Sequence, residues 1–231
     1  MNNPPLIDVI IPAFNEEKSI GHVLRDIPRP LVRNVFVCNN NSTDRTAEVA
    51  SENGGLVVDA PIKGYGSACL AGMNEITKLE TKPDIVVFLD GDYSDYPEEI
   101  PMLIHPILDK QIDMVIGSRA TGDLERGSMT PQQIFGNWLA TTLIRLFYKY
   151  EFTDLGPFRA IRYSSLLDLE MNDADFGWTV EMQVKAAKQG LACTEIPVKY
   201  RKRIGQSKVS GTVKGTILAG HKILWTIFKL L

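Results

Sequence analysis

Two kinds of apolar pattern alternate along the chain. Short continuous runs recur: IDVIIP (7–12), VRNVFVC (32–38), GLVVDA (55–60), DIVVFLD (84–90) and DMVIGSR (113–119). Runs of this length predict strands buried on both faces. Between them the apolar residues return at helical spacing. Ile20, Val23, Leu24 and Ile27 follow the i, i+3, i+4, i+7 rule. Glu16 and Glu17 are expected in the first turn of that helix, where the dipole favours negative charge. Ser42, Thr43 and Asp44 offer an N-cap for a second helix reaching about Asn53. Gly64 and Gly66 precede a third, ending near Glu80. Pro97, Glu98 and Glu99 suit the first turn of a fourth, with Ile100, Leu103, Ile104, Ile107 and Leu108 as its buried stripe. The β-α-β-α rhythm predicts an α/β fold, a mostly parallel sheet flanked by helices.

After Arg119 the rhythm changes. Residues 120–130 read as a polar loop, and 131–150 as a long helix with Leu139, Leu143, Leu146, Phe147 and Tyr150 on one side. A helix over 175–190 stops at Gly190, and 192–200 reads as a strand. No linker or repeat intervenes, so residues 1–210 are expected to form one domain, followed by a helix over 211–231. On that helix Lys214, His221, Lys222 and Lys229 fall towards one side. Ile217, Leu224, Ile227, Phe228 and Leu231 supply an apolar surface on the other. Such a helix either lies in a membrane interface or docks on the core or another subunit.

Composition narrows the function. A net charge of −3 argues against general nucleic-acid binding, which would show a basic face. The three cysteines, Cys38, Cys69 and Cys193, are scattered and suggest neither a disulfide framework nor a zinc site, so a reducing cytosol is expected. The N-terminus lacks the basic segment of a signal peptide, and no stretch reaches the uninterrupted apolar length of a membrane span.

The chemistry gathers at residues 88–100, FLDGDYSDYPEEI. In open α/β sheets, ligands bind beyond the carboxyl ends of the strands, and Asp90 and Asp92 stand at such an end. Two acids held close repel unless a cation joins them, so they predict a bound divalent metal. Magnesium-type ions use one or two carboxylates and complete their shell with water and phosphate oxygens, which suits a nucleotide diphosphate. A calcium loop would need Gly where Asp95 stands, and no phosphate-binding Gly-Lys-Ser/Thr pattern occurs. Asp90 and Asp92 solvating a turn is the alternative.

Four features fall in order: VIIPAFNEE (9–17), CNNNSTDRTAE (38–48), KGYGSA (63–68) and LDGD (89–92). Together they resemble the family 2 glycosyltransferases of GT-A fold. GSR (117–119), TDLGPFRAIR (153–162) and RIGQSK (203–208) look like the dolichyl- or polyprenyl-phosphate sugar transferases within that family. The resemblance implies that Pro12, Ala13, Phe14 and Glu16 cradle the nucleoside, joined by Val37 and Asn39 at the end of the second strand. Asn39 stands where such enzymes usually carry Asp, which leaves the base open between uracil and guanine. Asp90 and Gly91 would lie by the ribose and metal, and Asp92 would ligate the metal, magnesium or manganese. Ser94 stands where Gln is often a further ligand. Arg119, Arg203 and Lys208 would bind phosphates, since guanidinium matches phosphate in a planar fork. Asp154, Glu181 and Ser207 are acceptor-side candidates, and Asp154, Asp175 and Glu181 are the candidate bases for a hydroxyl acceptor; Asp154 could instead order a loop, Asp175 cap a helix and Glu181 be an ordinary helix residue. Gly156-Pro157-Phe158 replaces the usual Ser-Gly-Phe.

The resemblance thus implies an inverting, metal-dependent hexosyltransferase. Its donor would be a GDP- or UDP-hexose and its acceptor a polyprenyl phosphate, at the inner face of a membrane. A glycan or small-molecule hydroxyl acceptor, or a non-catalytic nucleotide-sugar-binding subunit, are the alternatives.

Overall fold

Seven strands form one sheet in the order β3-β2-β1-β4-β6-β5-β7. The structure, a computed structural model, describes residues 4–205 and 213–231, apart from the side chains of 213, 214, 216 and 217. The strands are β1 (Ile7–Ala13), β2 (Asn34–Asn39), β3 (Leu56–Asp59), β4 (Ile85–Phe88), β5 (Met114–Leu124), β6 (Arg159–Arg162) and β7 (Cys193–Tyr200). All pairings are parallel except those of β6, which runs antiparallel between β4 and β5. The helices are α1 (Ile20–Asp26), α2 (Thr46–Glu52), α3 (Tyr65–Lys78), α4 (Ile100–Lys110), α5 (Pro131–Tyr148), α6 (Tyr163–Asp168), α7 (Trp178–Gln189) and α8 (Val213–Lys229).

The continuous apolar runs are explained by two cores. Ile7, Val9 and Ile11 of β1 face α1, α2 and α4, while Ile10 faces α3 and the layer built from α5, α7 and α8. Side chains alternate across a strand, so a strand covered on both sides must be apolar throughout. The chain moves outward from β1 to β2 and β3, then returns to place β4 on the other side of β1. That reversal opens a crevice at the carboxyl ends of β1 and β4, where Pro12–Ala13 and Leu89–Asp90 lie.

Several expectations are corrected. Glu16 and Glu17 precede the helix, which begins at Ile20; Glu16 Oε2 instead accepts from Ser19. The second helix begins at Thr46, where Asp44 accepts from the Thr46 amide at 3.0 Å. Leu108 is exposed on α4. Residues 120–124 continue β5, because Asp123 and Leu124 pair with Lys199 and Tyr200 beyond an irregularity. On α5 the buried residues are Ala140, Thr141 and Ile144, whereas Leu146 and Phe147 are exposed. The last helix docks on α5 and α7: Ile227 is buried, and Tyr148 donates to its carbonyl. Among the described residues no helix is long and apolar enough to cross a membrane.

Candidate active site

The loop after β4 gathers three carboxylates in little space. Asp92 is 3% exposed and Asp95 1% exposed. Asp92 Oδ1 accepts from the Ser94 amide at 2.9 Å and from Ser94 Oγ at 2.5 Å. Ser94 therefore orients Asp92. Asp90 Oδ1 accepts from Tyr65 Oη at 3.0 Å. Burial, with Asp92 beside it, pushes the Asp90 carboxyl up to about 7. Burial and the two neighbouring acids hold Asp95 well above the ordinary range. Asp95 Oδ1 is buried without a hydrogen-bond partner. Backbone strain adds to the picture, since Tyr93, between the acids, has φ of 66°.

Two guanidiniums face these acids. Arg203 Nη2 lies 2.8 Å from Asp92 Oδ2. Arg119 is held in a fork by Asp154, with Nε at 2.8 Å and Nη2 at 2.7 Å, and its own amide also donates to Asp154 Oδ2. Burial works against both cations, but the acids beside them win and raise both above the usual arginine value. The loop carrying Arg203 is pinned to the acidic loop. The Arg201 and Ile204 amides donate to the Ser94 and Asp92 carbonyls. The Arg201 guanidinium stacks on Tyr93, 3.3 Å from the ring centroid, and on Tyr96 at 4.0 Å.

Asp90, Gly91, Asp92, Arg119 and Arg203 line a cavity of about 640 Å³ together with Pro12, Ala13, Phe14 and Glu16. Those nine predicted residues are thus brought together. Val37 is not among them: it is fully buried in the core, because its position on β2 turns it inward. Asn39 spends its Oδ1 on the Ser42 amide, and the neighbouring Asn40 lines the cavity instead. Asp154 is 1% exposed, its carboxylate engaged by Arg119, and does not line the cavity. Glu181 is 2% exposed and bonds Lys185 and the amides of Asn172 and Asp173. Neither is placed as an acceptor-side group. Ser207 and Lys208 lie outside the described residues.

Asn40, Lys63 and Tyr65 are among the lining residues that were given no role from the sequence. For Asn40 the signal was CNNNSTDRTAE, and for Lys63 and Tyr65 it was KGYGSA, a motif recognised without roles for its residues. The motif's glycines seat this loop against residues 173–174. A Cβ on Gly66 would lie 1.9 Å from the Asp173 carbonyl oxygen, a backbone contact that cannot yield. Gly66→Ala is therefore expected to cost about 2–3 kcal/mol and to weaken donor binding with it. Thermal unfolding and donor titration check both effects.

The chemistry of the cluster fits a cation. A buried, unpartnered carboxylate oxygen and an acid displaced toward neutrality mark an excess of negative charge that nearby arginines offset in part. Among the described residues no group of three or more His, Cys, Asp or Glu has metal-holding geometry, so any ion would rest on a carboxylate pair. The Asp90 displacement has a pH consequence. A carboxyl whose folded pKa exceeds its unfolded value loses stability as pH rises from near 4 through about 7. Metal-free protein in chelator is expected to melt lower at pH 8 than at pH 5, and Asp90→Asn should flatten that slope.

The family model for glycosyl transferase family 2 matches residues 8–169. A glycosyltransferase of Mycobacterium tuberculosis is 36% identical over 215 residues, covering 92% of this chain and 94% of that protein. The dolichyl-phosphate hexose transferase of Haloferax volcanii is 30% identical over 212 residues, 91% and 89% of the two chains. Glucosyl-3-phosphoglycerate synthase from M. tuberculosis, solved with Mn²⁺, uridine diphosphate and glucosyl-3-phosphoglycerate, shares the fold. Its TM-score is 0.74 at 21% identity, covering 98% of this chain and 80% of that one. This chain belongs to glycosyl transferase family 2. It is a glycosyltransferase of GT-A architecture.

Proposed function

We propose that this enzyme transfers a hexose from a nucleotide diphosphate sugar to a polyprenyl phosphate, at the cytosolic face of a membrane. The observation that carries the proposal is one cavity with two characters. Asp90, Asp92, Arg119 and Arg203 form its charged lining; Met129, Leu155, Pro157, Phe176 and Ile223 give it an apolar lining as well. The first suits a diphosphate and the second an apolar acceptor. The likeness to the Haloferax volcanii dolichyl-phosphate hexose transferase supports the same acceptor class.

Asp90 and Asp92 would hold magnesium or manganese, as the manganese-bound phosphoglycerate enzyme suggests by its fold. Bound there, the ion would stabilise charge growing on the leaving diphosphate. Pro12, Ala13, Phe14, Glu16 and Asn40 would cradle a uridine or guanosine nucleoside. Arg203 and Arg119 would face phosphate oxygens, and Ser207 and Lys208, which follow Arg203 closely in the sequence, would join them. Residues 1–210 would supply the catalytic unit and 211–231 the helix that closes its apolar side.

The bond from the anomeric carbon to the diphosphate breaks as an acceptor phosphate oxygen bonds that carbon from the opposite face. The nucleoside diphosphate leaves. A lipid phosphate is already ionised near neutral pH and needs no general base. That matches a site in which Asp154 and Glu181 are both engaged elsewhere. Incubating labelled nucleotide sugars with membrane lipid extract tests the proposal. Label should enter the organic phase as an acid-labile product. Label confined to water-soluble product would overturn it.

A hydroxyl acceptor is the second reading, favoured by Asp175. This carboxyl lines the cavity, and burial raises it above its ordinary value, as a base would require. Loss of transfer in Asp175→Asn, with donor binding intact, would mark that case.

A further inference from the structure

The outer face of α5 and α8 carries apolar side chains that no other described residue covers. On α5, Ile134, Phe135, Trp138 and Leu146 are exposed; on α8, Leu218, Trp225 and Phe228 are, with Leu231 just beyond. Trp138 is 58% and Trp225 57% exposed, far from the burial usual for tryptophan. The two helices run side by side. Gly136 and Asn137 of α5 and Ala219, Gly220 and Ile223 of α8 wall the same cavity. Farther along, Phe147 meets Phe228 edge-on at 5.5 Å. Ile134, Phe135, Trp138 and Leu146 fall within roughly a third of the α5 circumference, a stripe rather than scattered exposure.

Charge selects the occupant. The chain carries a net −3, yet neither α5 nor α8 contains a single Asp or Glu. Arg145 and Lys149 at the end of α5, and His221 and Lys229 on α8, are exposed beside the aromatics. Lys222 is half-buried and paired with Asp173. A second copy would set this basic face against itself, and like charges oppose that pairing. An anionic lipid surface satisfies both features at once. Tryptophan and phenylalanine enter the headgroup boundary, while lysine and arginine meet the phosphates.

We infer that the α5–α8 face is a peripheral docking surface for an anionic bilayer. The inference deepens the polyprenyl-phosphate reading, but adhesion is measured without donor or acceptor. The test is sedimentation of the full chain with vesicles of phosphatidylcholine alone, or with about a third phosphatidylglycerol. Wild type should follow the anionic vesicles, and high salt should weaken the binding. Trp138→Glu/Trp225→Glu should lower partitioning about tenfold or more, and Arg145→Glu/Lys229→Glu should lower it on anionic vesicles only. Both variants should melt like wild type and keep wild-type turnover of donor with a short, water-soluble acceptor analogue. Wild type left in the supernatant, or a tryptophan variant that binds undiminished, would overturn the inference. So would a dimer that this variant dissolves, with no vesicle binding in wild type. Vesicle binding without transfer to any lipid phosphate would leave the face standing and remove the proposed acceptor.

Discussion

Asp92→Asn is expected to lower sugar transfer by about three orders of magnitude, close to 4 kcal/mol of lost charge stabilisation. Asparagine keeps the shape, and its oxygen can still accept from Ser94, which bonds Asp92 through both its amide and hydroxyl. What disappears is a buried negative charge that meets Arg203 at 2.8 Å. The effect is therefore electrostatic, and a ligand-dependent melting experiment isolates it. Manganese with uridine or guanosine diphosphate should raise the melting temperature of wild type, by linkage worth about 2.7 kcal/mol at a hundredfold excess over Kd. The same additions should leave Asp92→Asn where it was. In chelator the variant is expected to fold, since Asp90 remains to offset the Arg203 charge. A variant that transfers at wild-type rate with unchanged metal response would remove the acid pair from the site.

The acid pair was legible because its signal is local: an apolar run that ends in charge. So were the sheet's character and most element positions, since strands covered on both faces leave continuous apolar runs. Features that depend on which way a side chain turns were not. Val37 and Asn39 sit two apart at the end of β2, yet one is core and the other bonds the next turn. The spacing could not separate them. Leu146 was grouped with Leu139 and Leu143 on one side of the helix because it follows them at helical intervals. Periodicity finds an apolar stripe but does not say whether protein covers it. On α5 there are two stripes, one buried through Ala140 and Ile144 and one bare. The extension of β5 to Leu124 was hidden for a related reason. Its polar residues pair with β7 at the sheet's edge, where burial does not write itself into composition.

Asp154 was open between a base and a structural role, and the two make opposite predictions. Its carboxylate receives three bonds from Arg119, two from the guanidinium and one from the backbone, at 2.7 to 2.8 Å. Both side chains are largely buried, at 1% and 12% exposure. Asp154→Asn leaves an uncompensated buried cation, a loss of about 3–5 kcal/mol. For a domain of this size each kcal/mol moves melting by about 2–4 °C, so a drop of roughly 6–20 °C is expected. Transfer should fall with it, measured at a temperature where the variant is folded, because a guanidinium freed from its fork no longer faces the cavity in one pose. Glu181→Gln supplies the contrast. It breaks another buried pair, Glu181–Lys185 at 2.8 Å, and should also lower the melting temperature. Glu181 does not line the cavity, so its kcat/KM should hold once folding is accounted for. A base at Asp154 would behave differently: melting would stay near wild type, and the acidic arm of the pH–rate profile would vanish. Arginine orientation, not proton abstraction, is what Asp154 contributes if stability and transfer fall together in this variant while Glu181→Gln loses stability alone.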